Sequence, residues 1–111
     1  MNLTVWQRAQ AANCLGQFQP GDMKTFRKAS RLMDILEISR ELYAEFGIIV
    51  QDDGSIFGPD ESWNKEIKVD IADENDLAFL RSHLSPYLMK LPISQRKHVA
   101  SAIEAFGIKE E

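Results

Sequence analysis

The segment from Asp22 to Phe46 constrains the fold most, because it reads as one helix between Pro20-Gly21 and Gly47. The Asp22 carboxylate can accept hydrogen bonds from the free N–H groups of a first helical turn. Gly47 can adopt the left-handed conformation that ends a helix. We therefore predict one long central helix of about 24 residues, roughly 36 Å in length at ~1.5 Å per residue.

Two apolar strips run along this predicted helix. One repeats at steps of three and four residues, which is typical of a helix face in a core. The other consists of Ile35, Ile38 and Leu42, about a third of a turn away. This second strip predicts a surface for a protein partner or for a homo-oligomer, unless the elements that follow in the chain cover it.

Basic side chains occupy the first half of the same side of this helix. Four clustered cations can neutralise a few phosphates, so nucleic-acid binding is the alternative function. The sequence pI of about 5.2 and the lack of a recognised DNA-binding motif make it the less favoured one. The candidate nucleic-acid residues are Lys24, Arg27, Lys28 and Arg31.

Charge is unevenly distributed along the chain. The formal net charge is −4, but residues 51–76 carry nine acids against Lys65 and Lys68, a local charge of −7 that leaves +3 elsewhere. A polarised surface orients association with a charged partner. The acidic segment therefore permits docking on a basic partner, with solvated loops and helix caps as the plainer explanation.

Three further helices are predicted, one before the long helix and two after it. Thr4 and Gln7 fit a capping box, which starts a helix from Val5 to about Phe18 that packs antiparallel to the long helix. Asp73 caps a third helix that ends or kinks at Ser85-Pro86. Ser94 caps a last helix from Gln95 to Phe106.

Between the second and third helices the pattern changes to β structure. Asp53-Gly54 between two apolar runs predicts a two-residue hairpin turn, with Val50 opposite Phe57 and Gln51 opposite Ile56. The alternation in 66–71 predicts a half-buried strand against that hairpin. The fold class is thus α+β and helix-dominated, with four helices and a small antiparallel sheet of about three strands in a single domain.

Trp63 lies in a loop between the hairpin and this strand. Loops carry binding residues more often than regular elements do. Trp63 is therefore a candidate protein-interaction residue, with packing over the sheet as the alternative.

The sequence predicts neither catalysis nor a cofactor. Cys14 is the only cysteine, and we predict that it acts as a small buried hydrophobe. His83 and His98 form no metal-binding pair, and no glycine-rich phosphate loop is present. A divalent-metal site is the minor alternative for one group of carboxylates, which helix capping explains better: Asp70, Asp73, Glu74 and Asp76.

A cytoplasmic location is expected. The single cysteine is typical of a reducing compartment. The first 18 residues have the pattern of neither a signal peptide nor a membrane span, so we predict no membrane association.

The first half of the chain resembles small accessory proteins of unknown function encoded in bacteriophage and prophage genomes. The resemblance is carried by Leu3-Thr4, Gln7, Ala11-Ala12 and Leu15, and then by Lys24-Thr25-Phe26-Arg27 and Arg31. It implies a helper that binds another protein, and it supplies no catalytic residues. We therefore expect a non-enzymatic protein-interaction module.

Overall fold

The computed structural model describes residues 2–53 and 56–108. Within these ranges the chain is a helix-dominated α+β domain, as predicted, but five helices have six residues or more, rather than four. The order is β1 (Asn2–Thr4), α1 (Val5–Gln17), α2 (Met23–Leu36), α3 (Arg40–Glu45), β2 (Ile49–Val50), β3 (Ile56–Phe57), α4 (Asp60–Trp63), β4 (Glu66–Lys68), α5 (Glu74–Met89), a 3₁₀ turn (Ile93–Gln95) and α6 (Arg96–Phe106).

Helix α1 begins where the sequence predicts. The Thr4 hydroxyl accepts from the Gln7 amide at 3.2 Å, and the Gln7 side chain accepts from the Thr4 amide at 2.9 Å, which completes the capping box. The helix contacts α2, α4, α5, α6 and β1. It is therefore the element around which the others pack.

The predicted long central helix is wrong, because α2 ends at Leu36 and a separate α3 begins at Arg40. Glu37 is extended, and the Ser39 hydroxyl caps α3 by accepting from the Leu42 amide at 3.1 Å. The side chain of Arg8 donates to the carbonyls of Leu36 and Glu37 at 2.9 and 3.1 Å. In an unbroken helix those two carbonyls would accept from the amides four residues later, so α1 stabilises the break.

Arg8 also shows that α1 and α2 are antiparallel, as predicted. It lies near the start of α1 and contacts the end of α2. The cap at Asp22 is confirmed as well, since its carboxylate accepts from the Thr25 amide at 2.8 Å.

Buried apolar side chains form two cores that share α1. The second core is the smaller and consists of Val5, Ala9, Ile38, Tyr43 and Ile48. The break after α2 is what lets α3 turn back toward α1 and bury Ile38 and Tyr43 there. The first core draws on β1, α1, α2, α5, α6 and the residue after β4. It contains Leu3, Ala11, Cys14, Leu15, Leu32, Leu36, Val69, Leu80, Leu84, Leu88, Ala102 and Phe106.

The predicted three-stranded sheet is replaced by two separate antiparallel pairs among the described residues, β1 with β4 and β2 with β3. Strand β4 pairs with the N-terminal β1, whose three residues are too few to be recognised from sequence. The alternation that predicted β4 is confirmed, since Val69 is buried and Ile67 half-buried while Glu66 and Lys68 are exposed.

The hairpin register differs by one residue from the prediction. Ile49 lies opposite Phe57 and Val50 opposite Ile56, so five residues separate the paired strand ends instead of four. The predicted Asp53-Gly54 turn falls partly outside the described residues, at Gly54. A one-residue shift exchanges the two faces of a strand, which decides the side chains that the hairpin exposes.

Of the two predicted effects of Ser85-Pro86, an end or a kink, the end is wrong, because α5 continues through Pro86 to Met89. Leu84 and Leu88 are both fully buried on either side of the proline, and this packing outweighs the lost backbone hydrogen bond. At α6 the predicted Ser94 cap is wrong: the helix starts after the 3₁₀ turn, with no side-chain cap. The predicted stop at Gly107 is confirmed by its left-handed φ of 67°.

Candidate binding face

The predicted interaction strip of Ile35, Ile38 and Leu42 takes part in the two cores. Ile38 is 9% exposed and belongs to the second core, against which Leu42 packs. Ile35 packs against the first core. The break between α2 and α3 also divides the strip. Packing within the chain therefore explains these side chains, which is the alternative to a partner surface given by the sequence.

The β2–β3 hairpin instead presents an uncovered apolar pair. Ile49 and Phe57 lie directly opposite each other and are 67% and 60% exposed. We call them the hairpin face. The other cross-strand pair, Val50 and Ile56, is on the opposite side, and Val50 packs against the second core. The outward pair is therefore left to solvent by the fold.

Gly58 lets the chain after β3 lie close to the second core. A Cβ at this position would be 2.6 Å from Cγ1 of Ile48, which is fully buried. Since real Cβ contacts are not that short, only glycine fits here without a shift of the core. The position of the hairpin relative to the domain is thus fixed by close packing.

Three exposed acidic side chains belong to the hairpin and to the elements that follow it in the chain. Asp52 in the hairpin loop, Glu61 on α4 and Glu66 on β4 are all exposed, and we call them the acidic rim. The elements meet at the second core, because Val50, Trp63 and Ile67 all pack against it. The hairpin and the elements that carry these acidic side chains therefore pack on the same core.

A cleft of about 390 Å³ opens where the two cores meet. Trp6, which packs against the first core, and Trp63, which packs against the second, both line it. We call it the Trp cleft. Ala9 and Ile56 contribute to its lining, and the polar part comes from Gln10, Asn13, Gln95 and His98.

One wall of the Trp cleft is held by specific contacts between α1, α5 and α6. The indole of Trp6 stacks on His98, with ring centroids 5.0 Å apart and an interplanar angle of 23°. Nearby, the Gln7 side chain donates to the Ser101 hydroxyl at 2.8 Å. The Tyr87 hydroxyl donates to Oε1 of Gln10 at 2.9 Å, and burial raises the pKa of Tyr87, so it keeps this proton at neutral pH.

Trp63, a predicted interaction residue, lines the Trp cleft from the end of α4 and not from the loop that the sequence predicts. It is half-buried, and its ring meets that of Tyr43 edge-on at a centroid distance of 6.2 Å. It therefore packs within the chain, against the second core, and its remaining surface lines the Trp cleft. Packing within the chain is the alternative to partner binding for this residue.

The basic residues of α2 are partly used within the chain. Arg31 forms an ion pair with Asp76 at 3.0 Å, and the Lys28 ammonium lies 5.5 Å from the centre of the Phe79 ring. Lys24 and Arg27 are exposed. Two of the four candidate nucleic-acid residues thus have intramolecular partners.

The carboxylates considered for a metal have other roles as well. Asp73 caps α5 by accepting from the Asn75 amide at 2.8 Å, and Asp76 pairs with Arg31. Within residues 2–53 and 56–108, no group of three or more acidic, histidine or cysteine side chains is arranged to hold a metal ion.

The side chains of Cys14 and His83 are both packed against other parts of the chain. Cys14 is buried, as predicted, its thiol lies 3.4 Å from the His83 carbonyl oxygen, and burial raises its pKa. A thiol with a raised pKa is a poor nucleophile at neutral pH because little thiolate forms. The His83 ring packs against Phe18 and Phe79, with centroid distances of 4.4 and 4.5 Å.

Comparison with protein-family profiles, with curated proteins and with solved structures finds no match. No helix in the described part of the chain has the length and apolar character needed to cross a membrane.

Sequence reasoning missed the hairpin face and Trp6. The predicted register placed Phe57 opposite Val50, whereas the actual one pairs it with Ile49 and turns both outward. For Trp6 a signal existed: Trp6, Gln10 and Asn13 follow a helical spacing that puts one aromatic and two amides on a single face of α1.

Proposed function

We propose that the protein is a non-enzymatic interaction module that binds a basic protein surface through the hairpin face. The observation that supports this is the exposed pair Ile49 and Phe57, which a monomer leaves in water at the cost of apolar hydration. Burying such a pair contributes about 25 cal/mol for each Å² of apolar area removed from water. Aromatic side chains are also enriched in protein interfaces.

Charge specifies the kind of partner in this proposal. The acidic rim of Asp52, Glu61 and Glu66 favours a surface rich in lysine or arginine around an apolar group. A second copy of the chain would bring two acidic rims together, and like charges across an interface oppose association. We therefore propose a different protein as the partner rather than a homo-oligomer.

The experiment compares affinity capture from a lysate of the native cell by the wild type, Phe57→Ser and Met89→Ser. Met89 is the matched control, since it is an apolar side chain of similar exposure (62%) on another element. We expect Phe57→Ser to lower the yield of one basic partner at least about tenfold, and Met89→Ser to leave it unchanged. The yield should also fall as salt is raised.

Two results would contradict the proposal. One is equal capture by the wild type and Phe57→Ser. The other is a wild-type dimer in sedimentation that Phe57→Ser converts to a monomer, because the hairpin face would then bind a second copy.

The setting of the module is part of the same proposal. We place it in the cytoplasm, because its lone cysteine is a buried thiol, and among phage or prophage accessory proteins on the resemblance of its first half. Nucleic-acid binding is the less favoured alternative, since Lys28 and Arg31 already have partners within the chain.

A further inference from the structure

The Trp cleft has the size and construction of a ligand site. Its volume of about 390 Å³ falls within the ~300–1,000 Å³ that small-ligand pockets occupy. The wall formed by Trp6 and His98 is held in place by ring stacking and by the bond from Gln7 to Ser101. A site held this way loses little conformational entropy when a ligand enters.

The chemistry of the lining selects an uncharged ligand. The described residues that line the cleft include no aspartate, glutamate, lysine or arginine. Two indoles give it apolar, π-rich walls, and three amide side chains, those of Gln10, Asn13 and Gln95, give it polar groups. A ligand that fits would combine flat or compact apolar groups with neutral hydrogen-bonding groups.

The two tryptophans add hydrogen-bond donors to the lining and no acceptors. An indole N–H donates only, and the chain has two tryptophans, both in this cleft. The Gln10 carbonyl oxygen accepts from Tyr87, and the Gln10 NH₂ group is a further donor. A ligand with several carbonyl acceptors matches these donors.

We propose that the Trp cleft binds a proline-rich segment of a polypeptide in the polyproline II conformation. Proline has no backbone N–H, so such a segment is poor in donors, and its carbonyls make no internal hydrogen bonds. Its pyrrolidine rings pack against aromatic side chains, and its preformed conformation lowers the entropic cost of binding. Indole and amide donors would bind the carbonyls.

This inference rests on the proposed function, because it names the chemistry of the protein partner. Ile56 links the two sites: it lines the cleft and belongs to the hairpin whose opposite side carries Ile49 and Phe57. The partner segment would place prolines in the cleft and basic residues along the acidic rim.

The test uses the full chain and a short proline-rich peptide with a lysine at each end. A glycine-serine peptide of the same length and charge is the control probe. Since both tryptophans of the chain line the cleft, their indole N–H resonances in two-dimensional NMR report on its occupancy. We expect both indole resonances to move in a saturable manner with the proline-rich peptide, and neither to move with the control.

Variants of one helix face locate the binding. Asn13 is exposed and lines the cleft, so Asn13→Arg should block it and weaken binding at least about tenfold. Gln17→Arg is the matched control, because it places the same side chain one turn later on α1, outside the cleft lining. Both positions are exposed, and arginine is a good helix former, so both variants should fold.

Three results would overturn the proposal: indole resonances that do not move, equal responses to the two peptides, or binding that Asn13→Arg leaves intact. A neutral nucleoside or sugar that moves both resonances where the proline-rich peptide does not would also overturn it. Phe57→Ser should leave peptide binding unchanged, because Phe57 is outside the cleft lining. The peptide titration therefore tests the cleft proposal, and the capture experiment tests the hairpin-face proposal, so that either can be rejected without the other.

Discussion

Helix α1 and the α2–α3 segment bury their side chains in different ways. The buried residues of α1 are Val5, Gln7, Ala9, Ala11, Cys14 and Leu15, which at 3.6 residues per turn cover more than half of its circumference. Those of α2 form one narrow stripe of Ala29, Leu32 and Leu36. A strong one-sided apolar pattern thus marks a helix at the edge of a core, whereas the central helix has a weak one.

Ile38→Glu is expected to cause the largest loss of stability among the substitutions considered. The substitution puts a carboxylate into the second core, where Ile38 is 9% exposed, and we expect it to lower the free energy of unfolding by about 3–4 kcal/mol. Urea denaturation measures this. If Ile38 were a surface residue of a long helix, the variant would keep its stability.

Ala11→Leu tests how closely α1 is surrounded. Ala11 has no exposed surface, and added methylenes in a packed core cost about 1–3 kcal/mol. Ala44→Leu, at an exposed site on α3, is the matched control and should change the stability by less than about 0.5 kcal/mol. Thermal unfolding of both variants checks the difference, and similar melting temperatures would refute the central position of α1.

Ser39→Ala tests the helix break. The Ser39 hydroxyl caps α3, so its loss should cost about 1 kcal/mol in chemical denaturation. Ser94→Ala is the control, because α6 has no side-chain cap, and should change little. An unbroken helix would show the opposite for Ser39, since alanine has the higher helix propensity and would stabilise it.

The smallest effect is on the pH dependence of stability. Burial raises the pKa of Cys14 on α1, so its contribution is present below the pKa of the unfolded thiol and is lost as the pH rises above about 8.5. Hydrogen bonds from Thr25 lower the pKa of Asp22 at the start of α2, so its contribution is lost as the pH falls below about 4.

Unfolding curves across the pH range separate these two groups. Cys14→Ala should flatten the alkaline decline without changing the acid one, and Asp22→Ala should do the reverse. A Cys14→Ala curve with the same alkaline decline as the wild type would assign that decline to Tyr43 and Tyr87, whose pKa values burial also raises.

Local signals in the sequence predicted much of the fold. The capping box at Thr4, the cap at Asp22 and the left-handed Gly107 depend on neighbours within a few residues, and all three are confirmed. The break after Leu36 depends on Arg8, 28 residues away, and no local pattern indicates that contact. The helix through Pro86 likewise depends on tertiary burial.

The candidate site was less predictable for the same reason. The sequence predicts Trp63 in a loop, whereas it is the last residue of the short helix α4, and its partner across the cleft, Trp6, comes from α1. The hairpin face depended on a register that the Asp53-Gly54 signal misplaced by one residue. Short strands specify register weakly, and Val50 packed against the second core can face either Ile56 or Phe57.

Amide hydrogen exchange by NMR tests the central claim most directly, that α1 organises the domain and α2 ends at Leu36. We predict that the α1 amides from Ala11 to Leu15 exchange slowest, and that those of Arg40 and Glu41 exchange fast, because Arg8 occupies the carbonyls they would otherwise bond. Slow exchange at Arg40 and Glu41, matching that of α2, would contradict the account.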